Sequence, residues 1–224
     1  MKSKIGSWFW RVGIVAIFFL LIQVPPMAVS IANRQPNNQQ LAVILSVIFV
    51  LIFLFIISCA RRVYRKYNQF GNSGKIDGRL ILAGYIALLL GMAFFGYLNQ
   101  AIFHQTETAN NEIIKQLLDH NRLITIVFVA SSFTLTPVAE ELIFRGILTN
   151  LFFKRDALWS KMVLSGLVFS LAHTSSNIIS FLLYCFMGMV LTYVYRQSGS
   201  LKNSIMVHAI NNLVAMSMML ISLN

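Results

Sequence analysis

Residues 123–153 read LITIVFVASSFTLTPVAEELIFRGILTNLFF, an apolar run that contains three charged side chains, Glu140, Glu141 and Arg145. An apolar run of about 20 residues is already long enough to cross a bilayer as a helix. Charged groups inside such a span are costly in free energy, so they indicate a functional site by default. Thr136-Pro137 predicts a break in this helix, because proline lacks a backbone donor and disfavours helix at the preceding residue.

Further apolar blocks lie on both sides of this stretch. They are continuous and do not alternate with polar residues, which favours spanning helices over an outer-membrane barrel. The chain is 57% hydrophobic and 11% charged, and a soluble domain carries about 25% charged residues. We therefore predict an all-α, polytopic transmembrane bundle of about seven spans, at residues 12–31, 41–60, 80–103, 123–153, 162–177, 178–195 and 204–223.

The first block can also be interpreted as a cleaved signal peptide, since it has a basic start and small residues near Ser30 and Ala32. The run 12–31 is long for a signal core, however. Pro25-Pro26 would fit a kink near the outer end of a retained helix. We therefore expect this block to stay as the first span.

Loop charges alternate along the chain and predict its orientation. Cytoplasmic loops collect Lys and Arg, whereas exterior loops do not. One exterior loop holds Arg34 as its single basic residue. In another, Lys115 and Arg122 are balanced by three acidic residues. The sequence thus predicts a multi-pass protein of the cell membrane, in contact with lipid, with its N-terminus inside and its C-terminus outside. The predicted cytoplasmic residues are Lys2, Lys4, Arg11, Arg61, Arg62, Arg65, Lys66, Lys75, Arg79, Lys154, Arg155, Lys161, Arg196 and Lys202.

The net charge of +11 is explained by this alternation. The basic residues form no continuous stripe of the kind that binds nucleic acid. We therefore expect no nucleic-acid partner.

In three of the blocks, a charged or polar residue lies four positions from another residue of interest, so that each pair shares a helix face. Glu141 and Arg145, Phe169 and His173, and His208 and Asn212 are each four residues apart. At about 1.5 Å of rise per residue from the nearest cytoplasmic charge, Glu140 lies about 21 Å deep and His173 about 18 Å. On the same scale His208 lies about 9 Å deep and Asn212 about 15 Å. All four depths fall within the hydrocarbon core, so these side chains can meet at one site.

The ordered motifs E-E-x-x-x-R, F-x-x-x-H and H-x-x-x-N, each in its own apolar block, resemble those of the CPBP family, also called the Abi family. That family covers type II CAAX prenyl endopeptidases and bacteriocin-processing or self-immunity proteins. The resemblance covers roughly residues 133–220. It implies peptide-bond hydrolysis inside the bilayer, with residues 123–224 as the catalytic membrane core and residues 1–122 as additional N-terminal spans.

The residues themselves allow this chemistry. Glu140, desolvated near His173, can take a proton from water as a general base. His208 and the amide of Asn212 can donate hydrogen bonds to an oxyanion. Arg145 would hold Glu141 ionised and oriented, and Phe169 would shape the site by packing.

A zinc ion is the open alternative, with Glu140, His173 and His208 as its ligands. The resemblance does not decide between a metalloprotease and a metal-independent glutamate protease. H-E-x-x-H is absent and no two histidines lie four apart. We therefore favour a metal-free mechanism without cofactor.

Two other classes of function remain open. A non-catalytic immunity or scaffold protein would keep the fold without the proton chemistry. A proton-coupled transporter would use the same buried carboxylates and histidines, although its ionisable groups would not all fall in one half of the chain. For the peptidase, the expected substrate is a membrane-associated peptide or protein.

Overall fold

The computed structural model describes residues 4–71, 74–118 and 121–223, and the regular structure in these ranges is helical. Lys2, and Asp119, which is one of the three acidic residues of the predicted exterior loop, lie outside them. The helices are α1 (Lys4–Leu21), α2 (Pro25–Asn33), α3 (Gln39–Tyr67), α4 (Gly78–Phe103), α5 (Ala109–Leu118), α6 (Arg122–Phe133), α7 (Leu135–Glu140), a π-helix (Glu141–Leu148), α8 (Thr149–Phe152), α9 (Leu158–Leu171), α10 (Ile178–Ser198) and α11 (Leu201–Ser222).

The described helices supply five apolar segments long enough to cross a membrane: Trp8–Asn33, Gln39–Tyr67, Gly78–Phe103, Ile178–Ser198 and Leu201–Ser222. A sixth is possible if the bent pair Arg122–Phe133 and Leu135–Phe152 counts as one span. The all-helical membrane bundle is thus confirmed. The count of seven spans and the orientation of the termini stay predictions.

Helix α9 is shorter than the predicted span 162–177. It has 14 residues and ends at Leu171, which gives a length of about 21 Å against a hydrocarbon core of about 30 Å. The polar run Thr174-Ser175-Ser176-Asn177 follows as a loop, and Asn177 caps the next helix by accepting a hydrogen bond from the Ser180 N–H. The prediction that this block is helical to residue 177 is therefore wrong.

The predicted break in the fourth block is present. Helix α6 and the helical segment Leu135–Phe152 that begins with α7 meet at an angle of 44°, with Thr134 between them. Pro137 explains the position, because its ring clashes with the carbonyl four residues earlier, at Phe133, and removes the donor that would bond it. The bend turns the charged residues that follow into the centre of the bundle.

Helix α10 packs against α9, α4 and α11. Small residues allow the closest of these approaches. A Cβ on Gly188 would lie 2.8 Å from the Cα of Gly166 on α9, so neither position has room for a side chain. This close approach is typical of helix pairs in membranes, where small residues let the backbones meet.

Candidate active site

The structure brings the predicted site residues together around one cavity of about 340 Å³. Its wall includes Glu140, Phe169, His173, His208 and Asn212. These residues come from α7, α9 and its following turn, and α11. Three sequence motifs that are far apart in the chain therefore supply residues to the wall of one cavity.

Glu141 and Arg145 form a buried ion pair behind this wall. The distance from Arg145 Nη1 to Glu141 Oε1 is 2.9 Å, and both side chains are 0% exposed. Arg145 also donates to the Gly188 carbonyl over 3.3 Å, and its guanidinium lies 4.4 Å from the centre of the Phe169 ring. The pair supports the site and does not line the cavity.

Glu141 also connects this pair to His208. The His208 Nδ1 lies 3.0 Å from Glu141 Oε1. A carboxylate only accepts hydrogen bonds, so Nδ1 carries the proton and donates. The other nitrogen, Nε2, lies 3.8 Å from Glu140 Oε2. One histidine therefore stands between the two carboxylates of the Glu140-Glu141 motif.

Glu140 differs from its neighbour in its surroundings. Its side chain is 13% exposed and lines the cavity, whereas Glu141 is sealed from it. Among the described residues, Glu140 Oε2 is buried without a hydrogen-bond partner. A buried oxygen in this state has the capacity to bind a water or substrate proton.

His173 lies in the turn after α9, where its backbone N–H donates to the Ser170 carbonyl. Its Nδ1 is 2.8 Å from the Phe169 carbonyl, an acceptor, so Nδ1 carries the proton. Nε2 then keeps the free lone pair of the neutral ring. The ring packs between Phe169, at 4.3 Å between centroids, and Tyr184, at 4.6 Å.

Tyr184 was not identified by the sequence analysis. Its ring stacks on His173 with an interplanar angle of 19°, and a 2.8 Å hydrogen bond joins its hydroxyl to Thr108 Oγ1. Thr108 directly precedes α5, on the predicted exterior side. Tyr184 therefore ties the orientation of His173 to this segment.

Asn212 lines the cavity with one N–H already used. Its Nδ2 donates to the backbone carbonyl of Ser132, on α6, over 2.8 Å. An amide nitrogen has two N–H groups, so one remains for a substrate. The neighbouring Asn211, also missed, lines the same cavity, and its Oδ1 is buried without a partner in the described part of the chain.

The backbone that carries Glu141 and Arg145 is a π-helix over all eight residues Glu141–Leu148, and every one of these residues is buried. π-Helical segments are rare in proteins, and those that occur often lie at functional sites. Here the segment forms the packed layer beneath the cavity.

The alternative zinc ligands Glu140, His173 and His208 share the cavity wall. In the described ranges, however, no group of three or more His, Cys, Asp or Glu side chains is placed to hold a metal ion. These residues as placed do not fit a zinc shell. The metal-free mechanism stays a prediction.

Comparison with known proteins gives an independent indication of family. Residues 122–214 match the family model described as type II CAAX prenyl endopeptidase Rce1-like. The UPF0177 protein YvdC of Lactococcus lactis is 26% identical over 207 residues, covering 92% of this chain and 77% of that protein. The UPF0177 protein YaiF of the same organism is 28% identical over 208 residues, covering 87% of this chain and 89% of that protein. No solved structure matches.

A relative with a functional name is the putative membrane peptidase YdiL of Bacillus subtilis. It is 22% identical over 214 residues, covering 92% of this chain and 86% of that protein. The family match covers all three motifs. The resemblance to the CPBP family inferred from those motifs is thereby confirmed, and the chain is similar to a family of membrane proteases.

Proposed function

We propose that this protein is an intramembrane endopeptidase that hydrolyses a peptide bond in a membrane-associated peptide or protein by a metal-free glutamate mechanism. The observation that carries this proposal is the position of Glu140. Its carboxylate has an unpartnered oxygen on a cavity that it shares with His173, His208 and Asn212. This arrangement supplies a base, a second proton acceptor and oxyanion donors around one space.

Glu140 acts as the general base. Its carboxylate takes a proton from a water molecule while the water oxygen attacks the carbonyl carbon of the substrate. The Nε2 lone pair of His173 accepts the second O–H of the same water and orients it. Phe169 and Tyr184 both pack against the His173 ring, so this orientation is set before substrate binds.

His208 and Asn212 stabilise the oxyanion of the tetrahedral intermediate. Because His208 donates its Nδ1–H to Glu141, its other nitrogen, Nε2, is the one directed toward Glu140, and in the imidazolium form it carries a second N–H donor. Nε2–H of His208 then faces the cavity as a donor, 3.8 Å from Glu140 Oε2. The free N–H of Asn212 supplies a second donor.

Collapse of the intermediate completes the reaction. Glu140 returns its proton to the leaving amine nitrogen, the C–N bond breaks, and the carbonyl re-forms on the acyl product. Glu140 ends as the carboxylate with which it began. Glu141 and Arg145 keep their charges throughout and hold His208 in place.

The test compares native protein with Glu140→Gln and His173→Ala in cells. Mass spectrometry of membrane peptides should find substrates that accumulate uncut in both variants, because each change removes a proton-handling group, and the abundance of Glu140→Gln should stay near native because its side chain keeps the same size. Glu112→Gln is a matched control, since Glu112 is exposed on α5 and outside the cavity wall.

The outcomes separate the classes of function. Identical peptide profiles in native protein and both variants would favour a non-catalytic immunity or scaffold protein. Loss of pH-gradient-driven uptake in vesicles, without any change in peptides, would favour a transporter.

A further inference from the structure

The cavity has an open end and a closed end. The open end is lined by the exposed residues Gln23, Ile113 and Thr174, and the closed end by Glu140 and His208. We infer, on the basis of the proposed function, that substrate reaches Glu140 from the exterior side of the membrane and is an uncharged, largely apolar peptide segment. The open end lies opposite the basic loops, which mark the cytoplasmic side.

Two breaks between helices lie in the wall of this cavity, near its open end. The break between α1 and α2 contributes Ile22 and Gln23 to the wall, and the turn after α9 contributes His173 and Thr174. At membrane depth, irregular backbone is tolerated only where it is buried in protein or lines a water-filled cavity. The breaks therefore mark where water enters, and Gln23, 12 residues after Arg11, lies about 18 Å from the cytoplasmic side, at the same depth as His173.

The length of α9 also indicates that the cavity opens toward the exterior. The helix starts next to the basic loop that holds Lys154 and Arg155 and runs for 14 residues, or about 21 Å. Its end therefore lies about 10 Å below the exterior surface of a 30 Å core. The loop that follows reaches the exterior end of α4, where Asn177 Nδ2 donates to Asn99 Oδ1 over 2.8 Å. His173 thus lies at the base of an opening toward the exterior.

The cytoplasmic side of the site is closed by packed layers. The first is the π-helix, whose residues are all buried. Below it, Lys161 Nζ donates to Asn150 Oδ1 over 3.3 Å and to Gln69 Oε1 over 2.9 Å. Asn150 Nδ2 in turn donates to the Tyr195 hydroxyl over 2.9 Å. A peptide on the cytoplasmic leaflet would have to disrupt these buried hydrogen bonds to reach Glu140.

A second cavity, of about 470 Å³, lies on the cytoplasmic side. Its wall includes Arg61, Arg65 and Lys202, and among the described residues it shares no wall residue with the first. Its wall includes Val138 and Leu142 but neither Glu140 nor Glu141. It does not provide a second route to the site.

The wall of the first cavity indicates the kind of segment that fits. Among the described residues, Glu140 is its one carboxylate, and it contains neither Lys nor Arg. Apart from His173 and His208, the other wall residues are apolar or are uncharged polar groups such as Asn110 and Asn111 at the open end. Away from Glu140, a charged substrate side chain would be desolvated there without a counterion, at a high cost in free energy. Uncharged, mainly apolar segments are therefore preferred.

Cysteine labelling tests the direction of access without an activity assay. In a background with Cys59 and Cys185 changed to Ala, Thr174→Cys should react with a membrane-impermeant maleimide on intact cells. Ser160→Cys, equally exposed but at the cytoplasmic start of α9, should react only after permeabilisation. Gln23→Cys provides a second position at the open end if Thr174→Cys does not accumulate.

Mapping of new termini then tests the substrate class. Termini that depend on Glu140 should fall in uncharged, apolar segments on the exterior side of membrane proteins. Labelling of Thr174→Cys and Gln23→Cys only after permeabilisation, or termini on the cytoplasmic side, would overturn the inference and leave the peptidase intact. Exterior labelling without any Glu140-dependent termini would contradict the proposed function, but it would still support a cavity that opens to the exterior.

Discussion

Asn212 has one amide N–H bonded to Ser132 and one available for substrate. If that N–H binds the oxyanion, Asn212→Ala should lower turnover by about a hundredfold or more with little change in substrate binding. Steady-state kcat and KM measure this directly. A loss confined to KM would show that Asn212 binds the ground state and would contradict the oxyanion role.

Tyr184 is expected to act as a positioning residue through its ring. Tyr184→Phe keeps the stacking on His173 and loses the bond to Thr108, so it should retain most of kcat. Tyr184→Leu loses the stacking and should lower kcat more than it raises KM, because a misplaced His173 affects the transition state. If both variants lose kcat equally, the hydroxyl and not the ring is what matters.

The buried pair Glu141–Arg145 should affect folding more than chemistry. Arg145→Ala leaves a buried carboxylate without its main partner, which costs about 3–5 kcal/mol. Glu141→Gln combined with Arg145→Met removes both charges and should restore part of the lost abundance. Quantitative blotting of membranes compares the two. Equal abundance would mean that water, and not protein, surrounds the pair.

At the level of single residues, spacing was sufficient for contacts within one helix. The separation of four predicted the Glu141–Arg145 ion pair, which the structure places at 2.9 Å. It did not predict Tyr184 or its bond to Thr108, because those residues are 76 positions apart and belong to no periodic pattern. Nor did it indicate that Ser132 would occupy one N–H of Asn212.

At the level of helices, α9 and α10 are held together where Gly188 meets Gly166. A Cβ on Gly188 would lie 2.8 Å from the Gly166 Cα and 3.0 Å from the Phe169 Cβ. Gly188→Ala should therefore push α9 away, lower abundance and reduce activity by displacing Phe169 and the His173 turn. Gly96→Ala is the matched control, since a Cβ there meets nothing within 4 Å.

In detergent, the native protein and Gly96→Ala should have similar thermal stability, and both should be more stable than Gly188→Ala. Equal stability of the two variants would show that α10 moves freely relative to α9.

Helices were predictable where the signal is a long apolar run or a proline. The bend before Pro137 follows from its missing donor. The end of α9 at Leu171 was not predictable, because Ala172 continues the apolar run and His173 keeps the four-residue helical spacing from Phe169. The π-helix was also missed, because an i, i+4 pair such as Glu141 and Arg145 fits both α- and π-helical hydrogen bonding.

For the whole molecule, the fold class followed from composition and apolar block length, because a membrane helix must satisfy its backbone internally. The assembly of the site required the structure. Depth along each helix predicted that Glu140, His173 and His208 can meet, but depth carries no information on which helices are neighbours. Packing of α10 against α9, α4 and α11 supplies that information.

The central claim is metal-free hydrolysis by Glu140. Membranes from cells that make only Glu140→Gln retain uncut substrate, so they are incubated with purified native protein in excess chelator, and new peptide termini are mapped by mass spectrometry. We predict new termini with native protein in chelator, and none with added Glu140→Gln protein. The absence of new termini with native protein, or cleavage that chelator removes and zinc restores, would contradict this account.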